Sequence, residues 1–186
     1  MISKPSNWDS IDENAGEFKN IVPGGYVCII RNVTDNTEKQ RLELEFDICD
    51  GDLKGYAVDR LERFGNWPYD CKMFKYYTEK AMPFFKGFVT ALEQTNRGFT
   101  FDWKNPKCVI DKGIGVIFGE EEYLSTKDNE IKIRIRPQSV TTAGKVRSGD
   151  FKMPALKKYK GEVHQLQPLP ESTYTPFTSS DDELPF

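Results

Sequence analysis

The sequence predicts an all-β domain with one helix, in which five strands form a small β-barrel. Three observations support this prediction. Residues 41–48 alternate between apolar and charged side chains, five segments are rich in β-branched and aromatic residues, and one apolar stripe has helical spacing. A period of two gives a strand one buried and one solvated face, whereas spacings of three and four place side chains on one side of a helix. The elements follow the order strand, strand, strand, helix, strand, strand.

Three strands are predicted in the first half of the domain. The first covers residues 26–33 and follows a turn formed by one proline and two glycines. The second covers residues 39–50, and its apolar positions are Leu42, Leu44, Phe46 and Ile48. The third covers residues 56–64. We expect the alternate apolar residues of the second strand to face the core.

The helix is predicted over residues 78–96, after a loop that is dense in aromatic and lysine residues. Thr78 can cap its N-terminus, Pro83 lies near its start, and Asn96 with Gly98 ends it. Its apolar stripe, which we assign to the core, comprises Phe84, Phe85, Phe88, Val89 and Leu92.

Two further strands are predicted over residues 107–118 and 130–136, with residues 119–129 as their connection. In the last strand three isoleucines alternate with Lys132, Arg134 and Arg136. We expect the isoleucines to face the core and the three cations to face outward.

Five strands with a helix between strands 3 and 4 are the elements of the oligonucleotide/oligosaccharide-binding (OB) fold, a partly open Greek-key barrel. Another small α+β domain would have similar elements and stays an alternative. We divide the chain into an N-terminal arm (1–22), an OB-fold domain (23–140), a basic extension (141–161) and a disordered C-terminal tail (162–186).

The charge of the chain is distributed unevenly, although the net charge is only −3. Residues 131–161 contain nine Lys or Arg and one Asp, whereas residues 162–186 contain five acidic residues and no Lys or Arg. A basic segment of this kind predicts an anion-binding surface. The sequence has no apolar run long enough for a membrane span and no apolar signal segment, so we expect a cytoplasmic protein without membrane contact.

Catalysis is not predicted. The single histidine, His164, lies in the polar tail, and the sequence has neither a phosphate-binding glycine motif nor a CxxC pair. We therefore expect no enzyme activity, no cofactor and no metal. A metal-dependent nuclease that uses Asp111 with Glu120, Glu121 and Glu122 is the alternative, and metal-dependent DNA cleavage would support it.

Binding of single-stranded nucleic acid is predicted instead. Unpaired strands require cations along the phosphates and flat rings on which the bases stack, and residues 60–77 contain both. The candidate residues are Arg60, Arg63, Trp67, Tyr69, Lys72, Lys75, Tyr77, Lys132, Arg134, Arg136, Lys145 and Arg147. Trp67 has two interpretations: packing over the barrel end or stacking on a base. The acidic residues of strand 2 would repel phosphate, so that face cannot lie wholly within the groove.

The last six residues are Asp181, Asp182, Glu183, Leu184, Pro185 and Phe186. This segment resembles the acidic tip of bacterial single-stranded DNA-binding proteins, which end in a similar Asp-Asp-Asp-Ile/Leu-Pro-Phe sequence. The resemblance implies that the tip recruits replication, recombination and repair proteins.

Residues 20–160 resemble a family of phage and prophage replication-cluster proteins through KAMPFFKGFVTALEQTNRGFTFDW, FGEEEY and GDFKMPALKK. This resemblance implies a phage-encoded protein in a bacterial host cell. We therefore expect a protein that coats single-stranded DNA during phage replication and recombination. A protein-interaction adaptor that imitates the tip of the host protein without binding DNA is the alternative. Association into a homo-oligomer stays open.

Overall fold

Five strands and three α-helices form the described part of the chain, which comprises residues 3–4, 6, 9 and 19–161 of the computed structural model. The elements are β1 (Gly24–Asn36), β2 (Arg41–Ile48), α1 (Tyr56–Phe64), β3 (Lys72–Tyr76), α2 (Met82–Thr95), β4 (Gly113–Leu124), β5 (Ile131–Thr141) and α3 (Ala143–Ser148). Among the described residues, no helix combines the length and apolar character required to cross a bilayer.

The strands form one sheet in the order β3-β2-β1-β4-β5, and each pair of neighbours is antiparallel. The predicted number of strands is confirmed, and α2 lies between the third and fourth strands as expected. The helices α1 and α3 are additional to the prediction. The strands β3 and β5 are the two edges of this sheet.

The core lies between the inner face of the sheet and α2. The alternation in β2 is confirmed, because all four of its apolar side chains are buried. Phe85, Phe88 and Leu92 of α2 are also buried, as predicted. The assignment of Phe84 to the core is wrong, since its side chain is 79% exposed. Phe84 lies in the first turn of α2, at the margin of the buried side that is centred on Phe85, Phe88 and Leu92.

The third strand does not lie where the sequence predicts it. Residues 56–64 form α1, which begins after Gly55 (φ 82°) and ends before Gly65 (φ 72°). The buried carboxylate of Asp47 accepts a hydrogen bond from the Ala57 backbone N–H (2.8 Å), which stabilises the N-terminus of this helix. The true third strand, β3, lies in the stretch that was predicted to be a loop, and it pairs with β2.

The fourth strand begins and ends later than predicted, and the fifth strand is longer than predicted. Residues 106–109 form a 3₁₀ helix, and β4 continues through the stretch that was expected to be a connection. β4 pairs with β1 only up to Phe118, so residues 119–124 and 131–136 project as a two-stranded hairpin arm. Ile131 and Ile133 lie on this arm and are about half exposed (48% and 56%). The prediction that they are buried is wrong, because the arm extends past the core.

The hairpin arm has a further neighbour in the basic extension. The backbone of Lys157 donates to Glu120 O (3.0 Å) and accepts from Glu122 N (2.9 Å). Its ammonium also pairs with the Glu121 carboxylate (2.7 Å). The extension therefore covers the edge of β4 that β1 leaves open.

Candidate nucleic-acid interface

A cleft of about 490 Å³ lies between α1, the loop that follows it and the first half of β5. We call it the arginine cleft, because three arginines from two distant parts of the chain line it. It brings together five of the residues that the sequence predicts for nucleic-acid binding: Arg60, Trp67, Tyr69, Arg134 and Arg136.

Arg136 connects the two edges of the sheet. Its guanidinium lies 3.7 Å from the centre of the Tyr69 ring, donates to the Tyr69 carbonyl and donates through Nη2 to the Lys72 carbonyl (3.4 Å). The residue is only 8% exposed. The prediction that it faces outward is wrong, since its side chain spans the gap between β5 and the start of β3.

Arg134 lies beside it in the cleft and is held by a carboxylate and by aromatic rings. Its Nη2 donates to Glu121 Oε1 (2.6 Å), and its guanidinium lies 4.7 Å from the Tyr123 ring centre and 5.9 Å from that of Tyr69. Burial raises the pKa of Glu121, but hydrogen bonds from Lys157 and Arg134 outweigh burial and lower it. Glu121 therefore stays ionised and fixes the position of Arg134.

The other wall of the cleft comes from α1 and the loop after it. Arg60 lies over the Tyr56 ring (4.5 Å to its centre) and donates to Asn20 Oδ1 (2.8 Å). Trp67 is half-buried against the core, and its indole N–H donates to Cys71 O (3.2 Å). Of its two interpretations, packing is thus observed, although Trp67 also lines the cleft. Arg63 is exposed in the last turn of α1. Phe64, which was not predicted as a site residue, also lines the cleft and is 59% exposed.

The outer face of β3 continues from the cleft through Lys72, Phe74 and Tyr76. Arg41 of β2 lies 4.1 Å from the Phe74 ring centre and 5.7 Å from that of Tyr76. Phe74 and Tyr76 were not predicted as site residues. Alternate residues of a strand share a face, so assigning KMFKY as a strand would have placed them on the same face as Lys72.

The acidic residues of β2 on this face are neutralised by neighbouring cations. Glu43 pairs with Arg41 (2.7 Å) and Glu45 with Lys72 (2.8 Å). The hydrogen bond from Arg41 lowers the pKa of Glu43. The outer face of β2 and β3 therefore combines an exposed ring, Tyr76, and a half-buried ring, Phe74, with paired charges.

Lys75 points to the opposite side of β3, away from the outer face. Its ammonium lies 5.7 Å from the centre of the buried Phe88 ring of α2. Burial lowers the pKa of Lys75 to about 8. The structure thus places this predicted site residue beneath α2 and not with the other cations.

Replacing Lys75 by Met should remove a pH dependence of stability. The pKa of Lys75 in the folded state is below its ordinary value of about 10.4, so the unfolded state binds more protons between about pH 8 and pH 10. The wild-type free energy of unfolding should therefore rise by about 1–2 kcal/mol over this range, relative to the variant. Urea denaturation of both proteins at several pH values measures this difference. If the free energies of unfolding of the two proteins change in parallel with pH, the placement of Lys75 beneath α2 is contradicted.

The remaining predicted residues lie outside the cleft. Tyr77 donates to Asp35 Oδ1 (2.7 Å) and packs edge-on against Phe85, and Lys132 pairs with Asp128. On α3, Arg147 pairs with Asp50 (3.2 Å), while Lys145 lines two grooves beside the second half of β5. The predicted tip, residues 181–186, lies outside the described residues.

No protein-family model matches the chain, and no curated protein resembles it closely enough to count as a relative. The arrangement of side chains in the cleft and on β3 is therefore the basis for a functional proposal.

Proposed function

We propose that this chain binds single-stranded DNA, with the strand crossing the arginine cleft and the outer face of β3. The observation that carries the proposal is the convergence of Arg60 and Arg134 with the exposed rings of Phe64 and Tyr69 in one cleft, beside the nearly buried Arg136. Guanidinium groups neutralise phosphates, and exposed rings stack on unpaired bases for about 1–3 kcal/mol per base. The bases of a duplex stack on one another, so their faces are not available for stacking on the rings of the protein.

The strand order supports a finer proposal, namely that the domain is an OB-fold barrel. In that fold a sheet of order β3-β2-β1-β4-β5 curves until its two edge strands approach each other, and the helix before strand 4 covers one end. Here Arg136 of β5 contacts the carbonyls that flank the start of β3, and α2 packs on β3, β4 and β5. OB folds bind oligonucleotides on the face of strands 2 and 3, which is the face that carries Phe74 and Tyr76.

The resemblance of residues 181–186 to the acidic tip of bacterial single-stranded DNA-binding proteins adds a second part to the proposal. We infer that the tip recruits replication, recombination and repair proteins to the coated strand. An apolar pocket with a basic rim would accept the phenyl ring and the acidic run of such a segment. The domain would bind DNA by electrostatics and stacking, in the bacterial cell that hosts the phage or prophage.

The ion pairs of the surface cations favour a second candidate function, namely a protein-interaction adaptor that does not bind DNA. Four of the predicted binding cations pair with carboxylates, namely Lys72, Lys132, Arg134 and Arg147. Arg41, which lies beside Phe74 and Tyr76, does so as well. Each such carboxylate competes with phosphate for its cation. In this case only residues 181–186 would engage a partner.

Fluorescence anisotropy with a labelled oligothymidylate of about 16 nucleotides distinguishes the two candidates. We expect saturable binding that is about tenfold tighter than for a duplex of the same length and that weakens steadily as salt rises. The matched duplex controls for attraction between the basic segment and phosphates alone. No saturable binding at low salt would overturn DNA binding and leave the adaptor.

A further inference from the structure

Two polar side-chain atoms in residues that line the arginine cleft are shielded from water and have no hydrogen-bond partner. They are Asp70 Oδ1 and Arg134 Nε. A buried donor or acceptor without a partner costs about 1–3 kcal/mol, so native folds contain few of them. Two such atoms of opposite hydrogen-bonding character in one cleft indicate a site that is completed by a ligand.

Neighbouring side chains hold both groups in place. The Tyr56 hydroxyl donates to Asp70 Oδ2 (2.7 Å). Burial and this carboxylate raise the pKa of Tyr56, so its hydroxyl keeps the proton that it donates. Arg134 is fixed by Glu121 and Tyr123, as described above. The Asp70 carboxylate and the Arg134 guanidinium are therefore held at the wall of the cleft, where rotation of either group would turn its unpartnered atom toward a ligand.

The walls of the cleft suit a flat heterocycle. Phe64 and Tyr69 expose 59% and 55% of their surfaces, and both line the cleft. A volume of about 490 Å³ accommodates a nucleobase with its sugar, since small-ligand pockets range from about 300 to 1,000 Å³. A base that stacks on Tyr69 would lie near Arg134, whose guanidinium is 5.9 Å from the centre of that ring, and near Asp70, the next residue in the chain.

We propose that the arginine cleft recognises one unpaired guanine within the bound strand. Guanine carries two adjacent donors, N1–H and N2–H₂, which complement a carboxylate, and two acceptors, O6 and N7, which complement arginine. Thymine has one ring N–H between two carbonyl oxygens that repel a carboxylate. Adenine and cytosine each place a ring-nitrogen acceptor beside their amino group. The inference rests on the proposed binding of single-stranded DNA and adds base preference to it.

The test uses the full chain and oligothymidylates of about 16 nucleotides in which one central position is thymine, guanine, adenine, cytosine or hypoxanthine. We expect the guanine oligonucleotide to bind about five- to tenfold more tightly than the all-thymine one at moderate salt. Hypoxanthine lacks only the N2 amino group of guanine, so it should lose part of this gain. Equal affinities for all five oligonucleotides would overturn the guanine site and leave the proposed function intact. Absence of binding to every oligonucleotide would overturn both.

Asp70→Asn and Asp59→Asn form a matched pair of variants. Each removes one negative charge, but Asp59 lies on α1 and does not line the cleft. Both variants should bind all oligonucleotides slightly more tightly through charge alone. Only Asp70→Asn should abolish the preference for guanine, and a preserved preference in this variant would overturn the role of Asp70. The oligonucleotide series in the wild-type protein tests the proposal even if Asp70→Asn does not fold.

Discussion

Replacing both Tyr69 and Phe74 by alanine should lower the affinity of the protein for single-stranded DNA about a hundredfold. Each ring offers a stacking surface for one base, and each stack contributes about 1–3 kcal/mol, where 1.4 kcal/mol corresponds to a factor of ten. Tyr69 is 55% exposed in the arginine cleft, and Phe74 lies on the outer face of β3 under Arg41. Fluorescence anisotropy with oligothymidylate measures the change.

Phe84→Ala/Trp103→Ala is the matched control for this double variant. Both residues are large exposed aromatics (79% and 68%), and neither lies in the cleft or on β3. The control should bind DNA with the affinity of the wild-type protein. If both double variants lose affinity equally, the strand does not follow the path proposed here.

Arg136→Ala should lower the free energy of unfolding by about 3 kcal/mol. The variant loses two charge-assisted hydrogen bonds and the contact with the Tyr69 ring, all in a nearly buried position. For a chain of this size the melting temperature should fall by about 6–12 °C. Differential scanning calorimetry measures this change.

Two further variants show whether the loss of stability in Arg136→Ala comes from the contacts of the Arg136 guanidinium. Arg136→Lys keeps the charge but cannot reach both carbonyls while lying over the ring, so its stability should be intermediate. Arg97→Ala removes an exposed arginine that follows α2 and should change stability by less than about 0.5 kcal/mol. An Arg136→Ala variant as stable as Arg97→Ala would show that Arg136 does not hold the sheet edges together.

The parts of the fold that could be predicted from the sequence depend on local patterns. The alternation in β2 specifies a strand with one buried face, and the spacing of Phe85, Phe88 and Leu92 specifies the buried side of α2. Both patterns are complete within one element. They require no knowledge of what packs against them.

The sequence predicts a strand over residues 56–64 and a loop after it, whereas the structure has α1 there, followed by β3. This difference depends on contacts between separate elements, which a local pattern does not contain. α1 is stabilised by Asp47, which belongs to β2 and lies ten residues before Ala57. The bracketing Gly55 and Gly65 are the local sign of a short helix, because both adopt left-handed backbone angles at its ends. β3 was missed because Lys75 occupies one of its inward positions, which hides the period of two.

The types of residue in the candidate site could be predicted from the sequence, but their positions relative to one another could not. Aromatic and cationic residues between Arg60 and Tyr77 indicated nucleic-acid binding, and five predicted residues do line one cleft. The burial of Arg136 follows from carbonyl partners 64 and 67 residues earlier in the chain, which no sequence window contains. The unpartnered atoms of Asp70 and Arg134 are likewise visible only in three dimensions.

The most direct test of the central claim is the fluorescence of Trp67 during titration with oligothymidylate. In a Trp8→Phe/Trp103→Phe variant, Trp67 is the remaining tryptophan, and it lines the arginine cleft. A single strand that crosses the cleft should change its emission saturably at low salt, and added salt should reverse the change. Emission that stays constant, in a variant that melts like the wild-type protein and with oligothymidylate in excess, would contradict binding of single-stranded DNA at this cleft.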